Sequence, residues 1–317
     1  MKKLEDLYDA LRAACPRLEL RRGEPMAAHT SFRIGGPAAL MALPRTEAEA
    51  SAALRCAARL GVEPLFLGNG TDLLVCDEGV DRFLLRPSGA WGEDELNSVR
   101  EEDGLLRAGA AVSLANLARA AWERGLAGLE FAQGIPGSVG GGVTMNAGAY
   151  GGELIQTLVR VHALDLTGRE RVLTAEECAM GYRHSVFSDG TLLITRAYFR
   201  LADGSREEIR ARMDDLAARR REKQPLEYPS AGSAFKRPAG HFAAALIDGC
   251  GLKGFSVGGA QVSEKHAGFV INRGGATCAD VRSLMGQVRA QVLAQTGVEL
   301  EPEIRYLDRE GRAVWNF

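Results

Sequence analysis

The sequence lacks most of the features that announce a function at first sight. No stretch approaches the roughly eighteen uncharged apolar residues of a membrane span. The opening MKKLEDLYDALRAACPRLEL places Glu5, Asp6, Asp9 and Arg12 where a signal peptide needs an unbroken apolar segment, so a cytoplasmic location is expected. Neither sign of charge dominates: 39 Lys and Arg against 41 Asp and Glu leave a net charge of −2, which argues against a protein built around a nucleic-acid backbone. The six cysteines, at 15, 56, 76, 178, 250 and 278, include no CxxC pair. That excludes a zinc framework or a small disulfide scaffold and leaves reduced, buried thiols as the expectation. His29, His162, His184, His241 and His266 stand far apart in sequence, so no metal site is expected.

Familiar catalytic signatures are missing as well. The segment GNGTDLL gives Gly68-x-Gly70 but has Leu73 where a dinucleotide fingerprint needs its third glycine, and no GxxxxGK[ST] occurs. Ser138 sits in PGSVG, which lacks the first glycine of a GxSxG elbow. Rossmann dehydrogenases, P-loop enzymes and serine hydrolases all lose ground. No internal repeat or low-complexity tract is visible.

What is present is a chain of 317 residues with 46% hydrophobic and 25% charged residues, long enough for about two soluble domains. Helices declare themselves by their ends. Thr46-x-x-Glu49 spells a capping box before an alanine-rich stretch closed by Gly61. Ser205-x-x-Glu208 opens a second, with Ile209, Met213 and Leu216 on one face, that must stop before Pro225. A third is expected from about Asp280 to Thr296, closed by Gly297. Strand-like runs are expected at 64–67, 83–86, 105–108, 158–166, 171–173, 192–201 and 268–272. Those from 158 to 201 follow one another without a helix between them, which predicts antiparallel pairing and an α+β fold. The composition turns strongly charged near Leu201, so a domain boundary is expected at about 202 to 215.

The densest signal lies at 134–152, GIPGSVGGGVTMNAGAYGG, with eight glycines and no charged residue. Glycine lets bare backbone approach a ligand and take positive φ, so that successive N–H groups can converge on an anion such as a pyrophosphate. A flexible linker is the plainer reading, weakened by the interleaved Ile135, Val139, Val143, Met145 and Tyr150. A second glycine loop, Leu67-Gly68-Asn69-Gly70-Thr71-Asp72, follows a strand-like run, and two such loops can clasp a large cofactor with a pyrophosphate at its middle. Three further segments carry candidate chemistry. In PSAGSAFKRP, Ser233 has small neighbours and Lys236 and Arg237 nearby, which suits a proton donor beside an anionic substrate. The same residues also fit a turn before a helix. In LEPEIRYL, Glu303 and Arg305 share one face of a short strand, which fits either a site or a solvated ion pair. Arg183, in YRHSVF, reads on its own as a surface arginine.

Taken together, HTSFRIGGPA, LGNGTDLL, GIPGSVGG with MNAGAYGGE, YRHSVF, EKQPLEYPSAGSAFKRP, GLKGFSVGGAQVSEKHAGFVIN and LEPEIR resemble the UDP-N-acetylenolpyruvoylglucosamine reductase family from about residue 29 to 307. The resemblance implies a fold with an FAD-binding domain of the vanillyl-alcohol-oxidase (PCMH) type at 29–202, after a helical lead-in at 1–28. A smaller α+β substrate-binding domain at 203–317 would end in a strand that returns to the site. It implies noncovalent FAD, NADPH as co-substrate, and reduction of the enolpyruvyl group of UDP-N-acetylglucosamine enolpyruvate to UDP-N-acetylmuramate for peptidoglycan. The partner would be this nucleotide-sugar, with no nucleic acid and no membrane, and a monomer is favoured.

Roles follow the matching motifs. Ser233 would be the proton donor, while Arg183 and Glu303 would orient the substrate carboxylate and stabilise the enolate. Leu67, Gly68, Asn69, Gly70, Thr71, Gly134, Ile135, Pro136, Gly137, Ser138, Val139, Gly140, Gly141, Asn146 and Gly148 would hold the cofactor. Lys223, Lys236, Arg237 and His266 would hold the nucleotide-sugar. The family's usual Ser-Asn after the Gly-x-Gly loop is Thr71-Asp72 here, and an aspartate near a pyrophosphate is unfavourable unless it points away or caps an amide. The run after Arg183 resembles the subtype that lacks an extra tyrosine-bearing loop. Two other readings stay open at this point: a flavin oxidase or dehydrogenase of the same superfamily, and a nucleotide-sugar binder that keeps FAD without turnover.

Overall fold

The capping residues expected at Thr46, Ser205 and Gly297 sit where helices begin and end in the computed structural model, which describes residues 2–312 and 315. Thr46 Oγ1 accepts from the Glu49 N–H at 3.2 Å at the head of the helix Glu47–Arg59, and Gly61 follows with φ +60°. The Glu49 carboxylate reaches past the cap to the Arg45 N–H at 2.8 Å, so the box is offset by one residue. The helix Arg206–Lys223 buries Ile209, Met213 and Leu216 and ends before Pro225. The third helix runs Cys278–Thr296, two residues longer at its start than expected. Thr277 and Asp280 cap it reciprocally at 3.0 Å, and the Asp77 carboxylate accepts from the N–H groups of Cys278 and Ala279 at 2.8 and 3.1 Å. Negative charge at this end complements the helix dipole.

The chain forms two compact units that are interleaved in sequence. The first comprises Met1–Arg22, Leu40–Asn69 and Phe83–Arg219, the second Gly23–Ala39, Gly70–Arg82 and Arg220–Phe317. A single cut at 202–203 therefore does not describe the packing, because Phe32, Ile34, Leu74 and Cys76 join the same apolar cluster as Val281, Leu284, Met285 and Val288. Nor is 1–28 a separate lead-in. Leu7 and Leu11 of the helix Lys2–Ala14 pack with Leu54, Phe83 and Leu85 in the first unit, and the strand Glu19–Pro25 follows.

In the first unit a five-stranded antiparallel sheet has the order Glu170–Thr174, Leu158–Asp165, Leu192–Phe199, Leu105–Gly109, Val99–Glu102. This is the antiparallel arrangement expected for 158–201, since those strands are joined without a crossover helix. Phe66 of the strand Pro64–Phe66 pairs in parallel with Leu85 of the strand Val80–Leu85, and the chain turns at Leu67 into the first glycine loop. In the second unit the strands Ser230–Ser233, Phe269–Asn272, Ala260–Val262 and Ser256–Val257 form an antiparallel sheet in that order. The strand Arg305–Leu307 pairs in parallel with Leu73–Val75. All six cysteines are free thiols, and no group of His, Cys, Asp or Glu among the described residues is placed to hold a metal. No helix among them is long and apolar enough to cross a membrane.

Candidate active site

In the first unit the two glycine loops meet. A Cβ on Gly68 would stand 2.9 Å from Ser138 Oγ, closer than a side chain ordinarily comes, and 3.6 Å from the backbone of Gly141. The run at 134–152 is not an open loop throughout. Ser138 caps a short helix, Val139–Thr144, by accepting from the Gly141 N–H at 3.4 Å. Gly140 lies against Ala110, where a Cβ would come within 3.2 Å of the alanine methyl. The Val139 and Gly140 N–H groups donate to the Val112 and Ala110 carbonyls at 2.7 and 2.9 Å. Val139, Gly140 and Gly141 thus shape the cradle by packing, with their donors already engaged. Among the described residues, the N–H groups of Gly68, Asn69, Gly137 and Ser138 have no acceptor within the protein. Four open amides around a side-chain-free gap fit the diphosphate of a dinucleotide cofactor. Gly134 ends a short 3-10 turn, and Ile135 donates back to the Ala132 carbonyl at 3.1 Å, which leads Pro136 into the cradle.

Asn146, expected at the cofactor, has its side chain fully engaged within the protein. It is buried at φ +42°, donates from Nδ2 to Glu153 Oε2 at 3.0 Å and to the Gly181 carbonyl at 3.3 Å, and accepts at Oδ1 from the Ile155 N–H. Gly181 opens the tight turn that carries Arg183. Gly181 and His184 exchange backbone hydrogen bonds at 2.9 and 3.3 Å, Arg183 takes φ +54°, and its guanidinium lies over the Tyr182 ring at 4.9 Å. Asn146 therefore braces the Arg183 turn. Gly148 packs within its own hairpin, where a Cβ would fall 2.6 Å from the Gly152 carbonyl oxygen.

Gly70 and Thr71 belong to the second unit. Gly70 has φ +60° and leaves room for the His29 carbonyl, 2.1 Å from where a Cβ would stand, and Ser31 donates from its N–H to the Gly70 carbonyl at 3.0 Å and from Oγ to the Ser230 carbonyl at 2.6 Å, with the Thr71 carbonyl further off at 3.3 Å. Asp72 accepts at its carbonyl from the Arg305 N–H at 2.8 Å. Burial pushes the Asp72 carboxyl above its ordinary value, and the charge of Arg305 opposes that shift.

Ser233 and Glu303 share one backbone ladder in the second unit. Ser233 is exposed at the end of its strand, paired with Phe269 across a bulge, so the turn-before-helix reading does not hold. On the other side the Glu303 N–H donates to the Ala234 carbonyl at 2.9 Å, Phe235 bridges Pro302, and the Lys236 N–H donates to the Glu301 carbonyl at 2.8 Å. Lys236 Nζ forms an ion pair with Glu301, and Arg237 stacks on Phe242 at 4.0 Å. Lys223 ends its helix on the exposed surface.

His266 lies beside this ladder, its ring edge-on to Phe269 at 5.1 Å, and its Nδ1 accepts from the Gly268 N–H at 3.1 Å. That assigns the neutral ring's proton to Nε2, a donor available to a ligand. Burial, reinforced by the Lys253 charge, pushes the imidazole below its ordinary value of 6.5. A histidine harder to protonate when folded contributes stability that is fully present above 6.5 and is lost as the pH falls below it. Urea unfolding at about pH 7.5 and about pH 5.5 is expected to show a smaller acid-side loss in His266→Gln than in the parent. Equal slopes would contradict it.

One residue near the cradle carried no role in the sequence. Arg86 donates from Nε to the Gly68 carbonyl at 3.1 Å and from Nη2 to Asn69 Oδ1 at 3.5 Å. An arginine at the end of a strand-like run gives no hint of a loop eighteen residues earlier.

Comparison with known proteins adds to this geometry. Residues 224–307 match the family model for the C-terminal domain of UDP-N-acetylenolpyruvoylglucosamine reductase, and residues 38–174 match a model for an FAD binding domain. The UDP-N-acetylenolpyruvoylglucosamine reductase of Agathobacter rectalis is 45% identical over 299 residues, 92% of this chain and 95% of the relative. That of Syntrophomonas wolfei is 42% identical over 304 residues, 96% of this chain and all of the relative. The crystal structure of UDP-N-acetylenolpyruvylglucosamine reductase from Thermus caldophilus superposes with a TM-score of 0.77 at 35% identity, covering 92% of this chain and 98% of that one.

Proposed function

The chain belongs to the UDP-N-acetylenolpyruvoylglucosamine reductase family, and from that premise we propose that it reduces the enolpyruvyl group of UDP-N-acetylglucosamine enolpyruvate to UDP-N-acetylmuramate, with NADPH as reductant, in the cytoplasm. The observation that carries this reading is the match at 224–307, which encloses Ser233, His266 and Glu303. A flavin oxidase of the same superfamily would share the FAD binding domain but give that stretch no task.

FAD, when bound, supplies a two-electron carrier that takes hydride from NADPH and delivers it to the enol-ether double bond. Gly68, Asn69, Gly137 and Ser138 would hold its diphosphate through backbone N–H groups. The protein's own residues do the rest. Arg183 presents a planar fork that matches the substrate carboxylate and draws charge away from the adjacent carbon. Glu303 assists the enolate through a shared proton, since a bare carboxylate beside it would repel. The Ser233 hydroxyl donates the proton that completes the saturated product. Lys223 and Arg237 supply cations, and His266 a neutral donor, for the nucleotide-sugar.

Beyond the one equivalent that reduces the flavin, purified protein is expected to consume NADPH only when the enolpyruvyl nucleotide-sugar is present, with one UDP-N-acetylmuramate formed per NADPH turned over. Flavin that is reduced by NADPH but never reoxidised by this substrate would refute the assignment.

A further inference from the structure

Buried arginines in the first unit are answered by carboxylates, and Arg86 is not. Arg107 meets Glu95 and Glu102 at 3.6 Å each, and Arg196 pairs with Glu47 and Glu170. Arg86 is half-buried, and among the described residues its donors reach two neutral oxygens, those of the Gly68 carbonyl and the Asn69 side chain. Burial, and after it the charge of Arg21, whose own partner is Glu19 at 2.7 Å, push the Arg86 guanidinium below its ordinary value. A cation removed from water without a counter-charge is costly, so the arrangement is incomplete as an isolated piece of packing.

The peptide between Gly68 and Asn69 shows where the missing charge belongs. No described peptide is cis, and in a trans peptide the C=O and N–H point in opposite directions. With Arg86 on the Gly68 oxygen, the Asn69 N–H points away from the guanidinium, and the cation behind it strengthens its positive end. That N–H is one of the four open donors of the cradle, beside the gap that Gly68 keeps clear against Ser138. Cation, peptide dipole and open donor stand in line, and an anion at the far end completes the series.

We propose that Arg86 is the electrostatic anchor of the cofactor cradle, a positioning residue that fixes the Gly68–Asn69 turn and drives its amide toward a diphosphate. The inference rests on the flavin dinucleotide reading given above and adds the source of the charge that balances the phosphates.

Apoprotein titrated with FAD, and separately with riboflavin, which has no phosphate, tests it in the parent, Arg86→Met and Arg86→Lys. Arg86→Met is expected to weaken FAD binding about tenfold to hundredfold and to flatten its salt dependence, with Arg86→Lys in between. Riboflavin affinity should change little. The apoprotein of Arg86→Met should melt no lower than the parent, because the unanswered cation is gone, whereas the FAD-loaded form should lose part of its thermal gain. Unchanged FAD affinity overturns the inference, as does equal weakening of FAD and riboflavin, or an apo melting point that falls as far as the loaded one. A parent apoprotein that takes up no FAD sinks the functional reading and this inference together, while uptake indifferent to Arg86→Met sinks the inference alone.

Discussion

Ser233→Ala is expected to leave flavin reduction by NADPH at the parent rate and to slow substrate reduction by about 10²–10⁴-fold, the range a positioned general acid contributes. The split follows from the proposed role, in which the hydroxyl enters only when the substrate carbon must be protonated. The structure makes the variant a clean test. Ser233 is exposed, it closes the strand Ser230–Ser233, and its backbone pairing with Phe269 does not involve the side chain. Ala231 and Ala234 on either side are buried and untouched by the change. Stability should therefore stay within about 0.5 kcal/mol of the parent. Rapid-mixing measurement of each half-reaction decides the matter, and equal losses in both would show that Ser233 is not the acid.

How much of this could be seen in the chain itself depends on distance along it. Elements set by local chemistry were legible: Thr46, Ser205 and Gly297 mark helix ends because caps act within one turn. The antiparallel sheet was legible because three strand-like runs follow one another with no helical pattern between them. What depended on distant partners was not. The segment Val139–Thr144 reads as loop because glycine is a poor helix former, yet Ser138 caps it and the glycines at 140 and 142 let it settle on Ala110, Leu114 and Leu154. Gly70 looks continuous with Gly68 in sequence, but His29 claims it for the second unit. Asp77 serves as a helix cap for residues two hundred positions later, which no spacing rule reveals.

The candidate site divides in the same way. Ser233, Arg183 and Glu303 are proposed through motif resemblance, and the structure adds the backbone contacts that set Glu303 beside the strand that Ser233 ends. Two contacts had no signal in the chain: the Asn146 side chain donates to the carbonyl of Gly181, and Arg86 donates to that of Gly68. Both are side-chain hydrogen bonds across 35 and 18 residues of sequence.

Glu303→Gln is expected to slow substrate reduction by about 10²–10³-fold, again without loss of flavin reduction. The amide keeps the shape and cannot share a proton as a carboxyl group does. The backbone contact that places the residue, from its N–H to the Ala234 carbonyl at 2.9 Å, survives the change. Glu301, two residues earlier, provides the internal control. It lies on the same segment, is exposed, and pairs with Lys236. Glu301→Gln should change turnover less than about twofold, since an exposed ion pair contributes little. If Ser233 and Glu303 act on one transition state, the double variant should lose no more than about the worse of the two single variants, because neither group works at full strength without the other. Additive losses would separate them into independent roles, and a Glu301→Gln defect as large as that of Glu303→Gln would shift the explanation from a carboxyl group to the geometry of the whole segment.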